Sequence, residues 1–152
     1  YFPQVHLGAA FAWSIPMAFV ATTNSAPPLD AWLLFLASLL WTTGYDTQYG
    51  MVDIEDDIKE GMKSTAILFG KYDNIINGTL QLLTLILITI VGIMNNRVFV
   101  FYASILAASS LIYYQQTLTK DRQPAKCLQA FLNNNYFGMI IFIGIAIDYL
   151  IF

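Results

Sequence analysis

Polar residues cluster along this chain, and between the clusters run long stretches without any charge. Residues 74–96, 98–119 and 127–147 contain no Asp, Glu, Lys or Arg, over 23, 22 and 21 residues. A helix rises about 1.5 Å per residue and needs about 20 apolar residues to cross a bilayer core, so each stretch predicts a transmembrane helix. Two more spans lie upstream. Residues 1–29 are uncharged apart from a possible proton on His6, and their apolar part covers 5–23. Asp30 opens a stretch that reaches Asp46, short for a full crossing unless the helix continues into the polar residues beyond. The pattern predicts an all-α, polytopic transmembrane helical bundle with spans near 5–23, 30–49, 74–94, 98–118 and 129–150. Asp30 is placed to N-cap the second span. Pro16 is expected to kink the first, and Pro27-Pro28 and Asn95-Asn96 mark turns.

Composition strengthens that reading: 57% of the 152 residues are hydrophobic and 11% charged, against about 25% charged in soluble domains. The net charge of −3 includes no basic patch, so no nucleic-acid partner is expected. The single Cys127 excludes an internal disulfide and a cysteine metal cluster, and is expected to pack at the start of a helix. Residues 1–20 lack the basic region of a secretory signal. A chain that opens at Tyr1, in the approach to an apolar span, reads as part of a longer protein.

Lysine and arginine set an orientation. The loop at 24–29 has neither; the loop at 50–73 has Lys59, Lys63 and Lys71; the turn at 95–97 has Arg97; and 119–129 has Lys120, Arg122 and Lys126. Alternate loops share a side, so six basic residues face one way and one the other. The positive-inside rule puts the six in the cytoplasm, with the N-terminus on that side and Phe152 on the far side.

The segment 46–65 stands apart, with five carboxylates between Asp53 and Glu60. If the second helix continues through it at about 100° per residue, Asp53 lies about 20° short of two turns from Asp46, and Asp57 about 20° past three. Asp46, Asp53 and Asp57 then share one stripe, with Glu55 opposite and Asp56 to one side. Aligned carboxylates repel, so the stripe implies a cation against it. One reading is a solvated acidic loop balanced by Lys59 and Lys63. The other is a Mg²⁺ site, because Mg²⁺ takes one or two carboxylates plus substrate phosphate oxygens, and Lys63 with Ser64 and Thr65 can reach a phosphate.

The stretch Tyr45-Asp46-Thr47-Gln48-Tyr49, then Met51-Val52-Asp53 with Asp56-Asp57, then Gly61 through Gly70 (GMKSTAILFG) closely resembles the second aspartate-rich motif of the UbiA superfamily of intramembrane prenyltransferases. The resemblance extends to Pro3-Gln4-Val5, to residues 7–19 and to Asn133-Asn134-Asn135-Tyr136, and is nearest to the bacterial members that act on 4-hydroxybenzoate in ubiquinone synthesis. It implies about nine helices in the bacterial inner membrane, of which this chain supplies the last five. Two aspartate motifs, active from the cytoplasmic face, then hold Mg²⁺ against a polyprenyl diphosphate. By position Asp53 and Asp57 match the metal-binding pair and Lys63 the basic residue after it, while Asp46 and Asp56 match further acidic positions around the cofactor. The first motif, an Asn-Asp pair with further aspartates, is absent from these residues.

The implied chemistry is loss of diphosphate to give an allylic cation, attack by the ring carbon ortho to the phenol hydroxyl, and loss of a proton. Phe11, Trp13, Tyr45 and Tyr49 are candidates to face the cation; His6 is expected to be a hydrogen-bonded residue at a helix start. Asn133-Asn134-Asn135 are expected as N-caps of the last span, with substrate contact as the alternative. A UbiA-type enzyme for another acceptor, such as a naphthoate or porphyrin, stays open, as does a non-enzymatic cation-binding bundle. A CDP-alcohol phosphotransferase is disfavoured, since its upstream Asp-Gly and Ala-Arg are missing.

Overall fold

The computed structural model describes residues 2–151; Tyr1 and Phe152, including the predicted far-side position of Phe152, lie outside the described residues. The elements are α1 (Pro3–Ala12), α2 (Ser14–Thr23), α3 (Leu29–Gly50), α4 (Ile54–Lys59), α5 (Thr65–Phe69), a 3₁₀ turn (Gly70–Tyr72), α6 (Asp73–Met94), α7 (Phe99–Thr119) and α8 (Pro124–Ile151). No strand occurs among the described residues. Every predicted span coincides with a long helix or a helix pair. Three of these, Pro3–Thr23, Thr65–Met94 and Pro124–Ile151, are long and apolar enough to cross a membrane. Helices α3 and α7 match them in length, with 22 and 21 residues.

The first span is interrupted where Pro16 requires it. Pro16 has no N–H to give the Ala12 carbonyl, and the helix breaks at Trp13 between α1 and α2. The Ser14 hydroxyl donates to the Phe11 carbonyl at 2.8 Å, satisfying a neighbouring acceptor locally.

Helix α3 is the centre of the bundle, packed against α1, α6 and α8, and α7 closes the assembly between α6 and α8. Large apolar side chains point outward: Phe99, Leu106, Phe142 and Leu150 are 72%, 73%, 70% and 85% exposed. In water that arrangement is unstable; in lipid it is the expected outer surface. Helices meet through small residues. A Cβ on Gly144 of α8 would lie 2.2 Å from the Ser104 side chain of α7, so any larger residue there forces the two apart. This is the close approach that small residues permit in membrane bundles.

The sequence expectation for Asp30 is corrected: Pro28 is the N-cap of α3. Asp30 lies in the first turn, where its charge suits the helix dipole, and it accepts from the Asn95 side chain at 3.2 Å. At the same end of the bundle Asp148, 1% exposed near the end of α8, caps α7 from outside. Its carboxylate accepts from the Val98 and Phe101 backbone N–H groups at 3.1 and 3.3 Å and pairs with Arg97 at 3.5 Å. Asp148→Ala removes the cap and leaves Arg97 without its carboxylate. A loss of about 1–2 kcal/mol in unfolding free energy is expected, read by denaturant unfolding in detergent; an unchanged midpoint would show that the cap carries no stability.

Candidate active site

The acidic segment does not continue α3. The helix stops at Gly50, a poor interior helix residue, and Met51, Val52 and Asp53 turn the chain before α4 begins. Met51 is 3% exposed and packs with Ala66 and Cys127, so burial of its side chain pulls the backbone off the helical path. The predicted single stripe of Asp46, Asp53 and Asp57 is therefore corrected, because the angle between Asp46 and Asp53 is set by a turn. The relation between Asp53 and Asp57 survives. The Asp57 N–H donates to the Asp53 carbonyl at 2.8 Å, which places the two one helical turn apart. Asp53 is the N-cap of α4, yet its side chain makes no capping hydrogen bond.

Burial separates the carboxylates. Asp46, Asp53 and Asp57 are half-buried, whereas Glu55, Asp56 and Glu60 are exposed. Asp56 pairs with Lys59 at 2.9 Å on that exposed face, the local balance foreseen for a solvated loop. Lys63 is exposed between α4 and α5. Ser64 and Thr65, read from sequence as phosphate donors, are corrected to structural roles. Both are buried; Ser64 caps α5 by accepting from the Ile67 N–H at 3.4 Å. Thr65 shares a hydroxyl hydrogen bond with Thr47 at 2.7 Å and donates its N–H to the Gln4 side chain at 3.0 Å. These contacts anchor the loop to α3 and α1. Cys127 is fully buried in the first turn of α8 beneath it, as the packing reading expected.

Below the acidic segment runs a column of aromatic rings. Tyr49 and Tyr45 of α3 both contact Phe131 of α8, at 5.2 and 5.9 Å between centroids. Trp41 contacts Tyr45 at 5.6 Å and Phe137 at 5.4 Å. The spacing of 41, 45 and 49 follows one helix face. A cavity of about 490 Å³ opens beside the column, lined by Phe11, Trp41, Tyr45, Phe131, Asn134 and Asn135 among others. Of the four aromatic candidates, Phe11 and Tyr45 line this cavity and Tyr49 stacks at its head. Trp13 does not: it packs against Trp32 and Phe35 at the opposite end of α3, about 17 Å along the axis from Asp46. His6 bonds the Phe2 carbonyl at 2.8 Å, as expected of a helix-start residue.

The asparagine run is corrected as well. Because α8 begins at Pro124, favoured in a first turn, Asn133–Asn135 lie well inside the helix and cap nothing. Asn134 is 5% exposed; it accepts from the Trp41 indole N–H at 3.0 Å and donates to Gln48 Oε1 at 2.8 Å. Gln48 donates to Gln115 at 3.2 Å, Gln81 also donates to Gln115, and Gln115 donates to Asn133 at 3.0 Å. Five amides from α3, α6, α7 and α8 thus form one chain, buried except at the half-buried Asn133, that ends on the Trp41 ring at the cavity. Sequence reasoning passed over Gln48, Gln81 and Gln115. The available signal was their position in otherwise apolar spans, where an amide has to find a partner on another helix.

The fold and site define a polytopic helical membrane protein with an acidic segment directly after the helix that lines an aromatic cavity. Residues 1–143 match the UbiA prenyltransferase family, and the chain belongs to that family. It is 56% identical over 148 residues to 4-hydroxybenzoate octaprenyltransferase of Aeromonas hydrophila, covering 97% of this chain and 51% of that protein. It is 54% identical over 149 residues to the protein of that name from Escherichia coli, covering 98% and 51%. The chain thus spans about half the length of the curated relatives it matches. A solved structure from work on digeranylgeranylglyceryl phosphate synthase in membranes aligns with a TM-score of 0.68 at 23% identity, covering 79% of this chain and 43% of that one. That likeness concerns the fold.

Proposed function

We propose that this chain forms the second half of an enzyme that transfers a polyprenyl group from polyprenyl diphosphate to the ring of 4-hydroxybenzoate, with Mg²⁺, in ubiquinone synthesis. The observation that carries the reading is the identity of more than half over nearly the whole chain to proteins named for that reaction. The geometry supports it: two half-buried carboxylates stand one turn apart just beyond the end of α3, the helix whose Trp41 and Tyr45 line an aromatic cavity in an apolar bundle.

The donor set suits the metal. Asp53 and Asp57 offer hard oxygen ligands, and the Asp53 carboxylate is not spent on its own helix. Among the described residues no group of three or more His, Cys, Asp or Glu is arranged to hold a metal, so phosphate oxygens and water are the natural remaining ligands. When bound, Mg²⁺ supplies charge neutralisation on the leaving diphosphate. Lys63 adds a point charge to the same oxygens, and Asp46 and Asp56 are the further acidic residues that the family resemblance places around this cofactor. The allylic C–O bond breaks with its electron pair leaving on diphosphate. The Tyr45 and Phe131 rings stabilise the cation and, with Phe11, exclude water from it. The ortho carbon of the acceptor then forms the new bond and its proton departs.

The test uses membranes carrying the full-length protein, supplied with labelled polyprenyl diphosphate, Mg²⁺ and either 4-hydroxybenzoate or a naphthoate. Prenylated 4-hydroxybenzoate is the expected product, lost on chelation. Prenylated naphthoate alone would assign a different acceptor, and no product with either would remove the enzymatic reading.

The six-to-one split of basic residues supports placement in the bacterial inner membrane with the acidic segment in the cytoplasm. A Ser25→Cys variant is expected to react with an impermeant thiol reagent from outside the cell, and Glu60→Cys only after the membrane is opened. The reverse accessibility would invert the orientation.

A further inference from the structure

Just past helix ends, three non-glycine residues take left-handed backbone angles, each with φ of 51°: Asn24, Asn96 and Arg122. Asparagine is at home there because its short amide can hydrogen-bond locally. Arginine has no such compensation, so a turn that keeps Arg122 in this conformation is held there by what its side chain does. That side chain is anchored firmly. Its Nε and Nη2 donate to Asp73 Oδ1 at 3.1 and 2.8 Å, and Nη2 also donates to the Gly70 carbonyl. Asp73 is fully buried and takes the Asn74 N–H on the same oxygen at 2.6 Å.

The anchor is closed on one side and open on the other. The Asp73 carboxylate is 0% exposed, but the Arg122 side chain is 38% exposed, and Nη1 is committed to neither Asp73 nor Gly70. Arg122 borders a cavity of about 430 Å³ whose other charged lining is Asp53, Glu55 and Asp56. It is the one cation among the residues lining that cavity. A cation needed only to neutralise Asp73 would gain nothing from bordering a carboxylate-lined cavity at the price of a strained backbone.

We propose that Arg122 is a substrate-binding residue of this site, its guanidinium meeting the non-bridging oxygens of the diphosphate in the cavity that it lines together with Asp53. The proposal rests on the functional reading above. Asp53 and Asp57 repel a diphosphate unless cations lie between, and Lys63 stands on the segment that follows the aspartates. Arg122 brings positive charge from a different element, the α7–α8 turn, with its Nη1 hydrogens committed to neither Asp73 nor Gly70 and able to donate to a phosphate oxygen. Asp73 and the Gly70 carbonyl hold the guanidinium in place before substrate arrives, which lowers the ordering cost of binding.

The experiment uses the full-length protein in detergent, with inorganic diphosphate plus Mg²⁺ as the probe. The double variant Asp73→Asn/Arg122→Asn removes both charges, avoids a buried unpaired carboxylate and puts asparagine where asparagine is tolerated. Its unfolding midpoint is expected near wild type. Its Kd for inorganic diphosphate is expected to rise about tenfold, the worth of one charge-assisted hydrogen bond. The KM for prenyl diphosphate should rise with it while the KM for the acceptor stays put. A folded double variant with wild-type diphosphate affinity overturns the proposal.

If that variant does not fold, Arg122→Lys decides, because a single ammonium keeps the charge but cannot hold Asp73 and the Gly70 carbonyl and still present a separate nitrogen to the diphosphate. A diphosphate Kd raised about threefold with an unchanged acceptor KM supports the assignment; wild-type values for both overturn it. Asp53→Asn, measured alongside, separates the two levels. Intact diphosphate binding in Asp53→Asn sinks the functional reading itself. Loss there with no effect in the Arg122 variants sinks the Arg122 assignment alone.

Discussion

Replacing Asp53 or Asp57 by alanine in the full-length protein is expected to abolish prenyl transfer, while Glu55→Ala keeps most of it. Asp53 and Asp57 are half-buried and one helical turn apart, whereas Glu55 is exposed. Under the proposed function, loss of either carboxylate would leave a single ligand from this motif for the metal, and with the metal held more weakly the charge building on the leaving diphosphate would go uncompensated. Losing one preorganised electrostatic group costs about 10²–10³-fold in rate at other enzymes, and a metal ligand is at least as demanding. The check is initial rate in membranes at matched protein level. Equal losses from all three substitutions would mean that burial and helical position do not sort these acids.

The second large effect concerns stability. Gln115 is fully buried and is the hub of the amide chain: its oxygen accepts from Gln48 and Gln81, and its nitrogen donates to Asn133. Gln115→Leu keeps the approximate volume and strands three polar groups at once, the buried Gln48 and Gln81 amides and the half-buried Asn133. Each stranded group costs about 1–3 kcal/mol in water-soluble proteins. Hydrogen bonds between membrane helices average only about 0.6 kcal/mol because the unfolded chain in lipid finds other partners. Three groups together should therefore destabilise by about 2–5 kcal/mol, bounded by those two scales. Unfolding of the full-length protein in mixed micelles, followed by tryptophan fluorescence, measures it directly. Trp41 reports on the chain because its indole N–H ends there. A midpoint indistinguishable from wild type would show the amides to be individually replaceable.

The long helices over 74–94 and 99–118 were legible because charge is absent from them, and a charge in hydrocarbon is too costly to go unnoticed in a sequence. The aspartate motif was legible because its residues are contiguous. What escaped depends on tertiary contacts. The break at Met51–Asp53 follows from Met51 burying itself against Ala66 and Cys127, 15 and 76 positions further on, and a periodicity of 100° per residue carries no trace of it. Asn133–Asn135 resembled caps because the last apolar run begins near them, yet Pro124 starts the helix earlier, ahead of Lys126, which a search for uncharged runs excludes. Ser64 and Thr65 looked available for phosphate until the structure spent them on Ile67, Thr47 and Gln4. The Arg122–Asp73 pair joins residues 49 positions apart, a separation at which no local pattern operates.

The central claim is that Asp53 and Asp57 engage a diphosphate through a divalent cation. Titration of Mg²⁺ into the purified full-length protein, with and without a prenyl diphosphate, tests it most directly. Weak Mg²⁺ binding is expected without the lipid, much tighter binding when the prenyl diphosphate is present, and loss of that enhancement in Asp53→Asn and Asp57→Asn. Mg²⁺ binding that is the same with and without the lipid diphosphate would contradict it, and would leave a cation-binding helical bundle in place of a transferase.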